Sequence, residues 1–325
     1  MAATSLTGAE LFSKDTVKYG RWEIRMQVAA TPGSVSSFFT YYNNSYLGDP
    51  EPWREIDIEI LGKNALGFQS NLITGDAGSK NTSEVFHDQA LSLAQSFHTY
   101  TLDWTPDSVV WRLDGKTMRK DDASNSQVVD LRDHFQTYRM NLWASNSASW
   151  VGKLDAAKLP VVQVVNWMAY SSYTPGAGTD GSNFTPVWAD DFDKFDTKRW
   201  DRGNWTFDGN LATFAASNAV VSNGYLVLLL STNATAGVLP TLPTDPLGNK
   251  RPTTGIDTRS QTVANAWIQG RTLHLTAPEG GVSLLSPSGR ILASSGQSGA
   301  HQWSDLPSGL WIARTSQGSQ TFVIP

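Results

Sequence analysis

A strict two-residue alternation between residues 55 and 60 constrains the fold of this chain more than any other feature of its sequence. The acidic residues Glu55, Asp57 and Glu59 alternate there with three isoleucines. Successive side chains of a β-strand point to opposite faces of its sheet. The segment therefore predicts a strand with one apolar face and one face that carries three carboxylates.

Short alternating strands separated by turns dominate the rest of the sequence, and helical periodicity is weak. Asp114-Gly115 follows one such run and is a strong hairpin-turn signal. Residues 90–96 are the only modest helix candidate. Many short strands of this kind predict an all-β fold built as a β-sandwich. The strand candidates are residues 22–28, 100–104, 109–113, 138–143, 161–167 and 225–230.

Composition excludes several functional classes. The 325 residues carry a formal net charge of −5, with none of the excess positive charge that marks a nucleic-acid-binding protein. The absence of cysteine excludes disulfides, thiol catalysis and thiolate metal sites. No apolar run has the length of a membrane span, and residues 1–4 lack a leader pattern, which predicts a cytoplasmic start or a mature form. The 13 tryptophans suit stacking on sugar rings as well as core packing.

A change in composition divides the chain into two predicted domains. Four prolines between residues 240 and 252 lie among small and polar residues, a pattern typical of an extended linker. We predict a large domain over residues 1–235 that functions alone, a linker over 236–264 and a small β-module over 265–325. A weaker boundary lies inside the large domain, near residues 174–186.

Three carboxylates on one strand face repel one another, so the row requires an explanation. A solvated acidic edge needs no function, and a metal site is a second interpretation, although carboxylates in line enclose a cation poorly. Glycoside hydrolysis is the third, because it needs two carboxyl groups that flank the scissile bond, about 5–5.5 Å apart in retaining enzymes. Sheet curvature would have to close the roughly 13 Å between Glu55 and Glu59 on a flat strand. A negative charge on Asp57 would help to keep one glutamate protonated.

Polar and aromatic residues at the same spacing accompany the carboxylates on other segments. Such mixed faces make poor cores, because buried amides need hydrogen-bond partners. They make good sugar clefts, because they combine stacking platforms with partners for hydroxyl groups. Together with the carboxylate row they favour a saccharide cleft. The residues are Phe39, Tyr41 and Asn43; Gln69 and Asn71; Arg139, Asn141 and Trp143; and Trp205 and Phe207.

The run Glu55-Ile56-Asp57-Ile58-Glu59 resembles the E-x-D-x-E catalytic strand of glycoside hydrolase family 16. Residues 8–11, 19–23, 68–71 and 141–143 are similar to motifs of its lichenases, the β-1,3-1,4-glucanases. The spacing lacks the extra residue of the E-x-D-x-x-E form usual in laminarinases, which disfavours a pure β-1,3 specificity.

The order of the segments also resembles one type within the family. Residues 192–210 look like the opening strands of ordinary lichenases, yet here they follow the acidic strand. This is the order of the circularly permuted lichenase type of Fibrobacter, which the chain resembles from about residue 6 to 235. Permutation is tolerated where the original termini lie close together at the surface. The boundary near residues 174–186 would be the join.

The resemblance implies a curved, concanavalin-like jelly-roll β-sandwich whose concave face holds the glucan. It implies that Glu55 is the nucleophile, Glu59 the general acid/base and Asp57 their electrostatic assistant. It also implies a structural calcium, with no catalytic role, at Asn166, Asp191 and Gly224, where oxygen ligands are available. The implied glucan contacts are Glu10, Phe39, Tyr41, Asn43, Trp53, Gln69, Asn71, Arg139, Trp143, Trp205 and Phe207.

Residues 282–290 and 306–311 resemble the sorting modules of type IX-secreted bacterial proteins. A carbohydrate-binding accessory module is the alternative that Trp267, Trp303 and Trp311 leave open. We expect a secreted or cell-surface monomer with a polysaccharide substrate and a contact to secretion machinery, since a polymeric glucan cannot enter a cell intact. The alternative functions are a xyloglucan- or β-1,3-glucan-active relative and a non-catalytic glucan-binding lectin, although a lectin needs no carboxylate row.

Overall fold

The computed structural model describes residues 5–44, 51–248, 251, 266–269, 272–277, 282–285, 291–296, 299–306, 309–315 and 318–324. The chain forms two compact units, Met1–Asp245 and Pro246–Pro325. The described residues are nearly all in strands and connecting turns, so the all-β prediction is confirmed. The helix candidate at residues 90–96 is wrong, because these residues form turns and bends. The short helices α1 (Ser126–Asp130) and α2 (Ala148–Val151) lie between strands.

The strands of the first unit alternate with short connections along the chain. They are β1 (Leu6–Ser13), β2 (Gly20–Gln27), β3 (Ser34–Tyr42), β4 (Arg54–Leu61), β5 (Gly67–Asp76), β6 (Ser79–Thr82), β7 (Val85–Asp88), β8 (His98–Thr105), β9 (Ser108–Leu113), β10 (Lys116–Asp122), β11 (Thr137–Ala144), β12 (Val161–Tyr173), β13 (Phe184–Asp190), β14 (Trp200–Arg202), β15 (Ala212–Phe214), β16 (Ala219–Ser222) and β17 (Tyr225–Thr232).

Two antiparallel sheets form the body of this unit. The front sheet has the order β14–β1–β11–β3–β4–β5, and β6 and β7 both pair with the outer edge of β5. The back sheet has the order β17–β12–β2–β8–β9–β10, with β16 beside β17 and β13 beside the second half of β12. The predicted jelly-roll β-sandwich is confirmed.

The apolar face of β4 lies in the core between the sheets, as its alternation predicts. Ile56, Ile58 and Ile60 are fully buried in one cluster with side chains of the back sheet such as Trp22 and Tyr100. Burial of this kind stabilises a fold by about 25 cal/mol per Å² of apolar surface. It also fixes the register, because a slip of one residue would turn the three carboxylates into this core.

Two connections in the back sheet match their sequence signals. Asp114 and Gly115 both have positive φ, 48° and 81°, in the tight turn between β9 and β10. The hairpin prediction there is confirmed. Residues 174–183, where the sequence places the permutation join, connect β12 to β13, and the Thr174 amide donates to the Asn183 carbonyl oxygen at 2.8 Å.

Residues 236–245 pack onto the first unit, although the sequence predicts a linker there. Leu239 and Leu242 contact an apolar cluster on the outer face of the back sheet, which includes Tyr225. Asp245 is only 2% exposed and receives hydrogen bonds from Arg25 at 2.5 and 2.8 Å. The prolines do favour an extended segment, as predicted. Leu239, Leu242 and Asp245 bind this segment, residues 236–245, to the back sheet, and we call it the strap.

The second unit contains two small antiparallel sheets among its described residues, β18–β19–β22 and β21–β20–β23–β24. Residues 286–290 and 307–308 of the proposed sorting motifs lie outside the described residues, as do 249–250 and 252–265 of the predicted linker. No helix in the described part of the chain has the length and apolarity of a membrane span. The strands are β18 (Ala266–Gln269), β19 (Thr272–Ala277), β20 (Val282–Leu285), β21 (Ile291–Ser295), β22 (Gly299–Trp303), β23 (Gly309–Thr315) and β24 (Gly318–Ile324).

Candidate active site

The register of the front sheet brings most of the predicted site residues to one face. Residues directly opposite each other in an antiparallel pair project to the same side. Asp57 and Glu59 therefore each belong to a row that crosses the strands. The row of Asp57 runs from Asn71 through Phe39 to Arg139, and the row of Glu59 contains Gln69, Ser37, Asn141 and Glu10.

Two tryptophans hold β4 at its first two acidic residues. The Trp53 indole donates from Nε1 to Oε2 of Glu55 at 2.6 Å. Asp57 is 3% exposed, and its backbone oxygen accepts a hydrogen bond at 2.9 Å from Nε1 of Trp111, which reaches through the core from β9. The strand is thus anchored directly beneath the middle carboxylate.

Burial raises the pKa of all three carboxyl groups. Neighbouring charges and hydrogen bonds then change the three pKa values in different ways. The pKa of Glu59 rises to about 8, first through burial and then through the negative charges of Glu55 and Glu84. Burial also raises the pKa of Glu55, but hydrogen bonds from Trp53 and Asp57 and the positive charge of Lys80 oppose that rise. The surroundings of Glu59 therefore favour its acid form, whereas hydrogen bonds and a cation partly offset the effect of burial on Glu55.

The surroundings of Asp57 bear on its expected role as an electrostatic assistant of the two glutamates. Burial raises the pKa of Asp57 well above its usual value, and the charges of Glu55 and Glu59 add to the rise. The hydrogen bond between the two side chains raises the pKa of Asp57 and lowers that of Glu55. Of these two carboxyl groups, the interaction favours the charged form of Glu55.

A buried polar network occupies the β1 and β11 side of the face. Arg139 donates from Nη1 to Oε1 of Glu10 at 3.0 Å, and Asn141 donates from Nδ2 to Oε2 at 3.2 Å. Burial raises the pKa of Glu10, while Arg139 and Asn141 oppose the rise. The Arg139 guanidinium also lies over the ring of Tyr41 at 4.8 Å. These contacts fix the side chains that were predicted to bind glucan.

A sequence profile described as "Glycosyl hydrolases family 16" matches residues 1–168, just over half of the chain and all of the rows above. The chain belongs to glycoside hydrolase family 16. It is 48% identical over 231 residues to the beta-glucanase of Fibrobacter succinogenes, covering 71% of this chain and 65% of the relative. It is 33% identical over 171 residues to the beta-glucanase of Brevibacillus brevis, covering 52% and 62%. This family 16 chain thus spans less than two thirds of the length of either relative.

A solved structure of the Bacillus licheniformis beta-glucanase is 31% identical, with a TM-score of 0.38, and the match covers 50% of this chain and 67% of that one. The family profile ends at residue 168, shortly before the predicted join at 174–186. The Fibrobacter match is 60 residues longer than the Brevibacillus match, 231 against 171.

Residues that follow β14 late in the chain complete the face in this family 16 chain. Trp205 and Phe207 lie in the connection between β14 and β15 and are 36% and 40% exposed. Trp205 contacts Phe12 with ring centroids 5.2 Å apart, and Phe207 meets Trp143 edge-on at 4.9 Å. Because β14 pairs with β1, residues from late in the chain form an aromatic border beside Glu10.

Two further residues of the face carry no sequence signal. Trp150 donates from Nε1 to Oε1 of Gln69 at 2.9 Å, and Gln69 donates from Nε2 to Glu84 at 2.5 Å. Glu84 lies between two short exposed strands, and Trp150 lies in a four-residue helix, so neither belongs to an alternating run. The sequence analysis missed both for that reason.

Several predicted contacts have structural partners of their own. Asn43 donates from Nδ2 to the Pro52 carbonyl oxygen at 3.1 Å, which holds the segment before β4. Asn71 accepts from the Ser83 amide at 3.0 Å. Trp53 meets Tyr41 edge-on at 5.3 Å in addition to its hydrogen bond to Glu55. These side chains shape the face in addition to any contact with glucan.

The three residues predicted to hold calcium converge on one point of β12. Gly224 immediately precedes β17 and Asp191 immediately follows β13, and these two strands pair with consecutive halves of β12. Asn166 lies between the two halves, fully buried, and donates from Nδ2 to Asp245 at 2.6 Å. Among the described residues, no three His, Cys, Asp or Glu side chains form a metal-binding group. A cation here would therefore depend on backbone oxygens and the Asp191 carboxylate, a donor set that suits calcium.

Proposed function

We propose that this chain is an endo-β-1,3-1,4-glucanase that cleaves mixed-linkage glucans such as lichenan and cereal β-glucan with retention of configuration. The row of Glu55, Asp57 and Glu59, with Asp57 buried and the two glutamates partly buried, carries the proposal. Its first member has hydrogen bonds and cations that favour the anion, and its last keeps a proton up to about pH 8. These are the two states that a retaining mechanism needs at neutral pH.

In the first step, the Glu55 carboxylate attacks the anomeric carbon and forms a glycosyl ester, while Glu59 donates its proton to the glycosidic oxygen. The leaving sugar departs with that proton. The Trp53 and Asp57 hydrogen bonds to Glu55 orient the attacking oxygen. The high pKa of Glu59 keeps the acid loaded in neutral solution.

In the second step, Glu59 acts as the base. It takes a proton from a water molecule, whose oxygen attacks the anomeric carbon and breaks the ester to Glu55. The carboxylate of Glu55 is restored, and the product keeps the configuration of the substrate. Glu59 regains its proton in the same step, so both groups return to their starting states.

The polar and aromatic face supports a glucan as the substrate. Tyr41, Trp143, Trp205 and Phe207 offer aromatic surfaces, and the Glu10 network offers hydrogen-bond partners for sugar hydroxyls. The relatives named beta-glucanase support the same class of substrate. A polymer of this kind lies outside cells, so we propose an extracellular site of action, reached through a sorting function of the second unit.

Mixed-linkage glucan is expected to be the preferred substrate. Initial rates of reducing-end release are compared on lichenan, barley β-glucan, laminarin, carboxymethylcellulose and xyloglucan. The E-x-D-x-E spacing predicts the highest rate on the first two. A higher rate on xyloglucan or laminarin would replace the proposed specificity with one of the alternative enzymes. Binding to all of the polymers with no release of reducing ends would favour the lectin.

A structural calcium at Asn166, Asp191 and Gly224 is expected to raise thermal stability without taking part in the reaction. Treatment with a chelator should lower the melting temperature, and added calcium should restore it, because binding to the folded state alone stabilises that state. The Asp191→Ala variant should lose this response, whereas Asp201→Ala, an exposed aspartate on β14, should keep it. An identical melting temperature with chelator and with calcium would exclude the site.

A further inference from the structure

The backbone of the hairpin between β5 and β6 fixes Lys80 beside Trp53. Lys80 is the direct partner of Gly75 in this hairpin, and the Gly75 carbonyl oxygen accepts the Trp53 amide at 2.7 Å. Gly75 has a φ of 90°, and a Cβ there would lie 2.4 Å from the Ser79 carbonyl oxygen. Only glycine suits this position. The hairpin therefore has little freedom to move Lys80 away from the end of β4.

The Lys80 side chain covers one face of the Trp53 ring. Its ammonium Nζ lies 3.4 Å from the ring centroid, well within the range of a cation–π contact. The same ring donates from Nε1 to Glu55 at 2.6 Å, and Tyr41 packs against it edge-on. Cation, indole and carboxylate therefore form one continuous arrangement.

We propose that Lys80 is a positioning residue for the nucleophile, which holds the Trp53 ring against Glu55 and supports the negative charge of that carboxylate. This inference rests on the proposed function, because that function makes Glu55 the nucleophile. Lys80 acts through Trp53 and through space, and it makes no bond to the reacting atoms.

The charges around Glu55 agree with this role. Lys80 and Arg139 both lower the pKa of Glu55 and so oppose the effect of burial. Arg139 lies over Tyr41, and Lys80 lies over Trp53, so the two cations flank the aromatic pair that borders the carboxylate. Since Lys80 covers one face of the indole, a sugar that stacks on Trp53 must use the other face or displace the ammonium.

The test compares Lys80→Met, Lys80→Arg and the control Lys116→Met. Methionine keeps the length of the side chain and can still pack on the ring but has no charge, whereas arginine keeps both the charge and the stacking. Lys116 is an exposed lysine at the start of β10 in the back sheet, away from the row. The pH dependence of kcat/KM on barley β-glucan is measured at low ionic strength.

In Lys80→Met, the acidic limb of the profile is expected to move to higher pH, because Glu55 loses a cation that favours its charged form. Near neutral pH, kcat is expected to fall roughly two- to fivefold, the worth of an exposed cation–π contact, with KM little changed. Lys80→Arg should restore both properties, and Lys116→Met should match the parent protein. Added salt should reduce the shift of the acidic limb, since exposed charges are screened.

The inference is overturned if Lys80→Met has the acidic limb and kcat of Lys116→Met, or if Lys80→Arg loses as much as Lys80→Met. Hydrolysis that survives Glu55→Ala would overturn the proposed nucleophile instead, and the role of Lys80 with it. An inactive Glu55→Ala variant together with an unchanged Lys80→Met variant overturns the inference alone.

Discussion

Replacement of Glu55 with alanine is expected to lower the hydrolysis of lichenan by about 10⁴-fold or more, the scale seen when a nucleophile is removed from a catalytic unit. The variant has no carboxylate to attack the anomeric carbon, and water alone cannot form the ester intermediate. The fold should survive. The pKa of Glu55 is raised by burial, so the native state holds this carboxylate at a cost, and its removal should leave the melting temperature unchanged or higher.

Azide distinguishes the nucleophile from the acid/base. In Glu55→Ala, azide can enter the space of the missing carboxylate and attack an activated aryl glycoside directly, which gives a glycosyl azide of inverted configuration. In the matched variant Glu59→Ala, azide attacks the ester on Glu55 and gives the retained configuration. The anomeric proton of each product identifies its configuration by NMR. A retained product from Glu55→Ala would falsify the assignment of Glu55 as nucleophile.

The carboxylate row and its neighbours were predictable because strand alternation determines which face a side chain occupies. Ile56 and Ile58 are apolar, and only one side of the strand can enter the core, so Glu55, Asp57 and Glu59 must share the other. The rows of Asn71, Phe39 and Arg139 follow from the same rule. Within regular strands, the local sequence was therefore sufficient to predict which face of the sheet each side chain occupies.

Features set by distant contacts were not predictable in this way. Glu84 and Trp150 reach the face from outside its strands, and Lys80 reaches Trp53 because a hairpin turns back on β4. The rise in the pKa of Asp57 depends on how completely the side chain is buried, which alternation does not show. The strap over residues 236–245 has the composition of a linker. Its contacts with distant residues show that it belongs to the domain: Leu239 and Leu242 pack on the back sheet, and Arg25, 220 positions earlier, donates to Asp245.

The Asp245→Ala variant is expected to lose about 3–5 kcal/mol of unfolding free energy, with only a small effect on the activity of the protein that remains folded. Arg25 is 2% exposed, and it donates to Asp245 from Nε at 2.5 Å and from Nη2 at 2.8 Å. Removal of one partner leaves a buried charge without compensation, which costs far more than the intact pair contributes. The melting temperature should fall on the order of 10 °C for a unit of this size.

Two comparisons give this expectation its strength. Asp107→Ala breaks an ion pair of similar chemistry, with Arg132 at 3.1 Å, but Asp107 is 80% exposed, so the loss there should stay below about 1 kcal/mol. A chain that ends at Thr235 lacks the entire strap and should be destabilised at least as much as Asp245→Ala. A chain that ends at Gly248 keeps the strap, and its melting temperature should equal that of the first unit in the full chain. If Asp245→Ala melts like Asp107→Ala, and the chain ending at Thr235 keeps its stability, the strap is a linker after all and the domain ends where its composition changes.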